Sequence, residues 1–218
     1  MPIALFDLDN TLLAGDSDYL WGVFLVEQKI VDGDYYEREN SRFYAEYKVG
    51  KLDIFEFLRF SLQPLRNNDP DHLKQLREIF LRDKIDPIIP EAARRLVDKH
   101  RQAGDQLLII TATNAFVTAP IAQRFGIEHL IATEPEEIEG HYTGNVVGEP
   151  CFREGKVSRL NRWLREHGMD LQDSWFYSDS HNDLPLLERV DHPVAVDPDE
   201  ILAAQAKTRG WPVISLRG

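Results

Sequence analysis

Short apolar segments alternate with segments of helical periodicity, and this alternation limits the folds open to the chain. Each apolar segment has the length of a strand, and several of the helical segments end at glycine. Strands that alternate with helices predict a parallel, doubly wound α/β sheet. The predicted strands are 3–8, 106–111, 129–133, 174–178, 194–196 and 212–216, and the predicted helices are 90–103, 115–125, 156–167, 184–188 and 200–207.

The segment from residue 16 to about residue 85 departs from this alternation. It is rich in tyrosine, tryptophan and phenylalanine, and its apolar residues recur at helical spacing. We predict an all-helical domain, 16–85, inserted into an α/β core formed by 1–15 and 86–218. Most of its aromatic side chains are expected to form a small hydrophobic core. Residues 134–149 are predicted to form a short strand-and-turn segment outside this alternation.

Composition and charge exclude several classes of protein. The chain has 218 residues, 43% hydrophobic and 28% charged, as is usual for a globular protein with a sizeable core. A formal net charge of −12 argues against binding of nucleic acid. An anionic substrate remains compatible with it, because a bound metal and a few cationic side chains can reverse the local field. The sequence does not indicate an oligomeric state.

Cysteine content and hydropathy bear on the compartment. The single cysteine, Cys151, excludes an intrachain disulfide and is expected to be a buried thiol. No apolar run has the length of a transmembrane helix, and no basic start precedes an apolar signal core. We therefore expect a cytoplasmic protein with no membrane partner.

Two aspartates, Asp7 and Asp9, lie at the carboxyl end of the first predicted strand, in the sequence Asp-Leu-Asp-Asn-Thr. Alternation along a strand points both carboxylates to one side, at the sheet edge where parallel α/β folds bind ligands. Two like charges this close need compensation, and a divalent cation such as Mg²⁺ takes oxygen ligands. The alternative is a strand end with a capping aspartate and a turn.

Polar side chains also follow later strands. Thr111, next to Ala112, would donate to a phosphoryl oxygen beside a helix N-terminus; the alternative is a plain helix cap. Lys156 opens a helix, where its positive charge interacts unfavourably with the helix dipole. An anion bound beside it would explain this position; the alternative is a solvated lysine. Asp179 would supply a second metal carboxylate, with Asp183 beside it; the alternative is a loop with capping aspartates.

The joint occurrence of these residues resembles the four motifs of the haloacid dehalogenase superfamily of phosphotransferases, over essentially the whole chain. The match is segment 7–11 with motif I, Thr111 with motif II, Lys156 with motif III, and Asp179 with Asp183 for motif IV. The resemblance implies a Rossmann-like core, and the helical insert is similar to the C1 cap of the phosphoserine-phosphatase-like branch, subfamily IB. Ser178 departs from the family, which often has glycine there.

The resemblance implies a role for each aspartate. Asp7 would attack phosphorus and form an aspartyl-phosphate, which divides the displacement into two steps. Asp9 would protonate the leaving alkoxide and then accept a proton from water. Mg²⁺ would be held by the Asp7 carboxylate, the Asp9 backbone carbonyl and the Asp179 carboxylate, with waters completing the octahedron.

The resemblance also implies which residues bind the phosphoryl group. Thr111, with the neighbouring Ala112, and Lys156 would contact its oxygens and balance charge in the transition state. Asp183 would orient Lys156 or a metal-bound water. Asn182 is a further candidate for contact with the phosphate.

The residues that lead from the core into the insert bear on the leaving group. Asp16, Ser17, Asp18 and Trp21 would make an acidic, partly aromatic mouth that favours a cationic leaving group. The alternative is that Asp16 and Ser17 simply cap the first helix of the insert. This region is similar to that of phosphoserine-phosphatase-like bacterial enzymes that act on L-histidinol phosphate in histidine biosynthesis. The predicted partner is therefore a small phosphorylated metabolite, with L-histidinol phosphate the leading candidate.

Three other functions stay open. The second candidate substrate is phosphoserine, whose carboxylate Arg42 and Arg59 of the insert would serve; the alternative is that both arginines are surface residues. Transfer of the phosphoryl group to an alcohol instead of water would use the same residues. A scaffold without chemistry is disfavoured, because the motif residues are all present.

Overall fold

Six parallel strands form the central sheet in the computed structural model, which describes residues 2–217. In chain order the strands are β1 (Ile3–Phe6), β2 (Gln106–Asn114), β3 (His129–Thr133), β4 (Pro135–Ile138), β5 (His141–Val146), β6 (Trp175–Ser178), β7 (His192–Val196) and β8 (Val213–Ile214). The sheet order is β3-β2-β1-β6-β7-β8, and β4 and β5 form a separate antiparallel hairpin. The chain order reverses at β1, and parallel α/β sheets bind ligands at such a point.

Helices cover the sheet and form the insert. They are α1 (Ser17–Glu27), α2 (Gly33–Lys48), α3 (Ile54–Ser61), α4 (Gln63–Asn67), α5 (Pro70–Phe80), α6 (Glu91–Ala103), α7 (Ala115–Arg124), α8 (Glu154–His167), α9 (Leu184–Leu187) and α10 (Glu200–Arg209). Shorter helical turns are Leu8–Leu12, Leu81–Ile85, Asp86–Ile88 and His181–Asp183. Within residues 2–217, no helix has the length and hydropathy needed to cross a membrane.

Both faces of the sheet are apolar, which explains why its strands have no polar alternation. In β1, Ala4 and Phe6 pack on one face while Ile3 and Leu5 pack on the other, and all four are fully buried. Helices α6 and α7 contribute to the first face, and α8, α9 and α10 to the second. A parallel sheet covered on both faces is the doubly wound fold that the sequence predicts, and that prediction is confirmed.

The insert is helical because its sequence starts and packs helices efficiently. Asp16, Asp32, Asp53 and Asp69 precede α1, α2, α3 and α5, and each accepts hydrogen bonds from backbone N–H groups of the first turn. Several aromatic residues of the insert pack on each other. The Phe60 ring centroid lies 4.3 Å from that of Tyr36 and 5.2 Å from that of Phe43. The helical prediction for 16–85 is confirmed. Its treatment as a separate domain stays a prediction.

Two strand ends near the site differ from the sequence-based bounds. Strand β1 ends at Phe6 instead of residue 8, because the chain turns at once and Asn10 adopts a left-handed φ of 55°. Strand β2 continues to Asn114 instead of ending at Thr111. The carboxyl end of β2 therefore extends further past the end of β1 than expected.

Cys151 is fully buried, as the sequence analysis expects. Its thiol lies 3.6 Å from the backbone carbonyl oxygen of Ile131. Burial raises the pKa of this thiol to about 12. The thiol therefore stays protonated at neutral pH.

Candidate active site

The predicted motif residues come together at the carboxyl ends of the three central strands. Asp7 directly follows β1, Thr111 lies in β2, and Asp179 directly follows β6. Lys156 comes from the first turn of α8, at a distance of 149 residues in sequence from Asp7. The fold thus gathers four distant segments at the point where the sheet order reverses.

Lys156 is the cationic centre of this group. Its Nζ lies 2.7 Å from Asp7 Oδ1 and 2.8 Å from the Asp183 carboxylate, and all three side chains are at most 8% exposed. Burial lowers the pKa of Lys156, but the Asp183 and Asp7 charges outweigh it and hold the pKa above its usual range. Ser178 donates to Asp183 at 2.7 Å, so the residue that replaces the family's glycine helps fix this carboxylate. The solvated-lysine alternative is wrong.

Thr11 connects the two carboxylates predicted to hold a metal. Its Oγ1 lies 3.0 Å from Asp179 Oδ1 and 3.4 Å from Asp7 Oδ2, and it accepts a hydrogen bond from the Asp179 backbone N–H at 3.0 Å. Burial raises the pKa of Asp7 to about 7. Burial, followed by the Asp7 and Asp183 charges, raises that of Asp179 well above its usual range.

The charges and donors here fit a divalent cation. Asp7 and Asp183 share one cationic side chain, Lys156, and in the described part of the chain the nearby Asp179 has no ion-pair partner. Two carboxylates and the Asp9 backbone carbonyl are oxygen donors of the kind Mg²⁺ takes. No cluster of three or more His, Cys, Asp or Glu side chains suited to a metal occurs in residues 2–217. A metal here would therefore need backbone and water ligands as well.

Asp9 is fixed by donors from two directions. Its Oδ1 accepts from the Ser17 backbone N–H at 2.6 Å, and its Oδ2 accepts from Thr113 Oγ1 at 2.8 Å, with Thr111 Oγ1 at 3.4 Å. Burial and the Asp16 charge raise the pKa of Asp9 to about 6. The sequence analysis missed Thr113, although alternation along β2 places it on the same side as Thr111.

A cavity of about 710 Å³, open mouth included, separates these residues from the insert. Its lining contains six aromatic side chains, which are Tyr19, Phe43, Tyr44, Tyr47, Phe57 and Phe152. Its charged lining within residues 2–217 is five aspartates and one lysine, namely Asp7, Asp9, Asp16, Asp18, Asp183 and Lys156. Of the other predicted binding residues, Thr111, Ala112 and Asn182 also line the cavity.

Asp16 and Asp18 form the acidic end of this cavity. Asp16 Oδ1 accepts from the backbone N–H groups of Asp18 and Tyr19 at 3.0 and 2.9 Å, so Asp16 both caps α1 and lines the cavity. Asp18 Oδ1 accepts from Asn114 Nδ2 at 3.4 Å. Burial raises the pKa of both carboxyls, and for Asp18 the Asp16 and Asp9 charges raise it further.

The structure corrects two predicted binding residues. Trp21 is 2% exposed and packs on Phe24, Phe80 and Phe116, with ring centroids 5.6, 5.1 and 5.8 Å away. It lies in the hydrophobic core, because the large apolar ring gains more by burial there than at a polar mouth. Ser17 is fully buried and does not line the cavity, and its contribution is the backbone N–H that holds Asp9.

Arg42 and Arg59 do not line the cavity. Arg59 is exposed, and Arg42 pairs with surface glutamates of the insert instead, namely Glu39, Glu46 and Glu56. Both arginines border a separate groove that is lined by residues of the insert. Neither one is placed to bind a substrate carboxylate in the cavity.

Several lining residues were assigned by sequence to the core of the insert. Tyr19, Tyr44 and Tyr47 face the cavity instead. Helical periodicity marks these rings as part of an apolar stripe, but it does not show whether the stripe covers a core or a cavity.

The comparisons with known proteins agree with this geometry. The family described as haloacid dehalogenase-like hydrolase matches residues 4–188. Histidinol-phosphatase of Neisseria meningitidis serogroup C (strain 8013) is 45% identical over 219 residues, covering 99% of each chain. Phosphoserine phosphatase SerB1 of Mycobacterium tuberculosis is 32% identical over 98% of this chain and 70% of its own length. A solved protein of unknown function from Bordetella pertussis Tohama I superposes with a TM-score of 0.93 at 46% identity, covering 99% of this chain and 98% of that one.

Proposed function

This chain belongs to the haloacid dehalogenase-like hydrolase family and is a phosphatase, and we propose that its substrate is L-histidinol phosphate. The proposed reaction is Mg²⁺-dependent hydrolysis through an aspartyl-phosphate, giving L-histidinol and phosphate. This would place the enzyme in histidine biosynthesis, with the cytoplasmic location predicted from the sequence. The 45% identical relative from Neisseria meningitidis, a histidinol-phosphatase, supports the proposal.

The observation that carries the choice of substrate is the charge of the cavity away from Lys156. Asp16 and Asp18 line that end together with tyrosine and phenylalanine rings. L-Histidinol phosphate presents an ammonium and an imidazole, which suit carboxylates and aromatic faces. A bound cation would also stabilise the ionised form of both aspartates, whose pKa burial raises.

Phosphoserine is the second candidate, since SerB1 of Mycobacterium tuberculosis, a phosphoserine phosphatase, is 32% identical. Its carboxylate needs a cationic partner at the leaving-group end. Among the described lining residues the one cation is Lys156, which already pairs with Asp7 and Asp183. The cavity therefore suits L-histidinol phosphate better.

In the first step of the proposed reaction, a carboxylate oxygen of Asp7 forms a bond to phosphorus while the bond from phosphorus to the substrate's ester oxygen breaks. Asp9 gives its proton to that leaving oxygen, and Thr113 with the Ser17 N–H holds Asp9 in place. Lys156 and Thr111 would balance charge on the phosphoryl oxygens.

In the second step, water attacks the phosphorus of the aspartyl-phosphate and Asp9 accepts the proton of that water. Asp7 is released as a carboxylate together with phosphate. Mg²⁺ held by Asp7, Asp179 and the Asp9 carbonyl would offset the negative charge of the phosphoryl group. Transfer to an acceptor alcohol would differ only in the attacking oxygen.

Phosphate release from L-histidinol phosphate, O-phospho-L-serine and para-nitrophenyl phosphate tests the proposal. With Mg²⁺ present, we expect kcat/KM for L-histidinol phosphate to exceed the other two values by at least tenfold. EDTA should abolish turnover and added Mg²⁺ should restore it. A preference for phosphoserine would overturn the substrate, and turnover unchanged by EDTA would overturn the metal.

A further inference from the structure

The carboxyl end of α2 is tied to two loops of the sheet domain. The Gly50 carbonyl accepts from an Arg153 Nη, and the Tyr47 carbonyl accepts from Asn182 Nδ2 at 3.3 Å. Arg153 also donates from Nε and Nη2 to Asn182 Oδ1, at 3.0 and 2.9 Å. These four residues form a closed set of contacts, which we call the α2 clamp.

Arg153 enters the clamp from a strained backbone. Its φ of 51° and ψ of −119° lie outside the regions that residues with a side chain prefer, and such strain persists where surrounding contacts enforce it. Its guanidinium lies 5.0 Å from the centroid of the Phe152 ring, which lines the cavity. The Arg153 carbonyl accepts from the Lys156 backbone N–H at 3.0 Å, so Arg153 also begins the turn that presents Lys156.

Gly50 lets the insert come close enough for these bonds to form. It has a φ of +69°, and a Cβ there would lie 2.9 Å from His181 Nε2 and 3.1 Å from Arg153 Nη2. A larger residue would strain the backbone and displace the His181 ring and the Arg153 guanidinium from their present positions.

Tyr47 connects the clamp with the reacting groups. It lines the cavity, and the charges of Asp179, Asp7 and Asp183 act with burial to raise the pKa of its hydroxyl well above the usual range. Tyr47 shares the lining of the cavity with Asp7 and Asp183. Its backbone carbonyl accepts the hydrogen bond from Asn182 that belongs to the clamp.

We propose that Arg153 is a positioning residue, which couples the docking of α2 to the placement of Lys156, Asn182 and Tyr47 around the phosphoryl group. The clamp touches the phosphate end of the cavity and not Asp16 or Asp18. Its loss should therefore slow hydrolysis of every phosphomonoester by the same factor, whichever leaving group the enzyme prefers. This makes the inference independent of the substrate proposed above.

Two variants open the clamp from opposite sides. Arg153→Ala removes the guanidinium that bonds to Gly50 and Asn182 from the side of the sheet domain. Gly50→Ala adds a methyl group on the side of the insert, where it would meet the His181 and Arg153 side chains. Each has a matched control. Arg159→Ala removes an arginine of α8 that donates to the Glu149 carbonyl. Gly210→Ala adds a Cβ at a residue whose φ is also positive, +70°, but where the Cβ would meet nothing within 4 Å.

We expect Arg153→Ala to lower kcat roughly 10- to 100-fold with para-nitrophenyl phosphate and equally with L-histidinol phosphate, as small misplacements of reacting groups do. Arg153→Lys keeps one donor and should recover part of the loss. Both control variants should stay within about threefold of the parent enzyme, following the usual small effect of surface changes. A wild-type kcat in Arg153→Ala, or an equal loss in Arg159→Ala, would overturn the proposal.

Two further readouts separate positioning from a general loss of stability. If the clamp acts as one unit, the Gly50→Ala and Arg153→Ala double variant should lose no more kcat than the worse single variant. Losses that multiply would contradict the coupling. Hydrogen exchange at amides 44–52 should rise at least tenfold in Arg153→Ala and not in Arg159→Ala, and unchanged exchange there would equally contradict it.

Discussion

The two acidic ends of the cavity differ in how their carboxylates are compensated. At the phosphate end, Asp7 and Asp183 both contact the Lys156 ammonium, at 2.7 and 2.8 Å. At the leaving-group end, Asp16 and Asp18 accept hydrogen bonds from backbone N–H groups and an asparagine, which are neutral donors. At the first end a buried lysine already offsets part of the negative charge before a ligand binds, whereas at the second end no cationic side chain contacts Asp16 or Asp18 among residues 2–217.

This difference matches the two tasks of the cavity. The phosphoryl chemistry is the same for every substrate of such an enzyme, so its groups gain from being fixed in advance. The leaving group varies between related enzymes, and neutral donors leave the field of Asp16 and Asp18 open to a cation. Four substitutions test the contrast, from the largest expected effect to the smallest.

Asp7→Asn should remove the proposed nucleophile while keeping its shape. We expect kcat to fall by roughly 10⁴-fold or more, as loss of a catalytic nucleophile does elsewhere. Phosphate release measures this, and circular dichroism checks that the fold is retained. A folded variant within tenfold of the parent kcat would refute the role of Asp7.

Lys156→Met should destabilise the protein because it leaves two buried carboxylates without a cation. We expect the free energy of unfolding to drop by about 3–5 kcal/mol in urea titrations. Lys207→Met, at an exposed residue of α10, is the control and should change the free energy of unfolding by less than about 0.5 kcal/mol. Adding Asp183→Asn to Lys156→Met should recover part of the lost stability. Equal stability of Lys156→Met and Lys207→Met would show that the ion pairs of Lys156 do not stabilise the phosphate end.

Asp18→Asn should change substrate preference and not chemistry. We expect kcat/KM for L-histidinol phosphate to fall by roughly 10- to 100-fold, which corresponds to about 1.4–2.8 kcal/mol of lost cation binding. The value for para-nitrophenyl phosphate should change by less than about threefold. Asp34→Asn, at an exposed residue in the first turn of α2, is the control. Equal losses for both substrates would mean that Asp18 does not read the leaving group.

Arg42→Ala should have the smallest effect of the four substitutions, both on stability and on substrate binding. Its ion pairs with three glutamates lie at the surface, where such pairs contribute about 0–1 kcal/mol. KM for O-phospho-L-serine should not change, because Arg42 does not line the cavity. A KM that rises tenfold would show that Arg42 reaches the substrate, and it would favour phosphoserine.

Sequence reasoning located the phosphate end of the site better than the leaving-group end. Lys156 could be found because a lysine at a helix start calls for an anion beside it, and Asp7, Thr111 and Asp179 because residues at the carboxyl ends of parallel strands must meet at one edge of the sheet. Thr113 could have been found in the same way. The sheet, its helices and the helical insert followed from periodicity alone, while the end of β2 extended beyond its apolar run.

The leaving-group end depends on how the insert packs, which periodicity does not determine. Trp21 and Tyr47 both belong to helices of the insert, yet the first lies in the core and the second in the cavity. The α2 clamp was equally out of reach. Arg153 meets a backbone carbonyl 103 residues earlier, and a carbonyl carries no residue-specific signal.

The burial of Cys151 has a practical consequence for studying this enzyme. A thiol with a pKa of about 12 and no exposed surface should react slowly with maleimides and mild oxidants. A cysteine introduced on the exterior, for example at the exposed Val49 beside Gly50, would then be the one fast-reacting site among residues 2–217. A fluorophore attached there would report whether α2 moves during turnover, without first removing the native thiol.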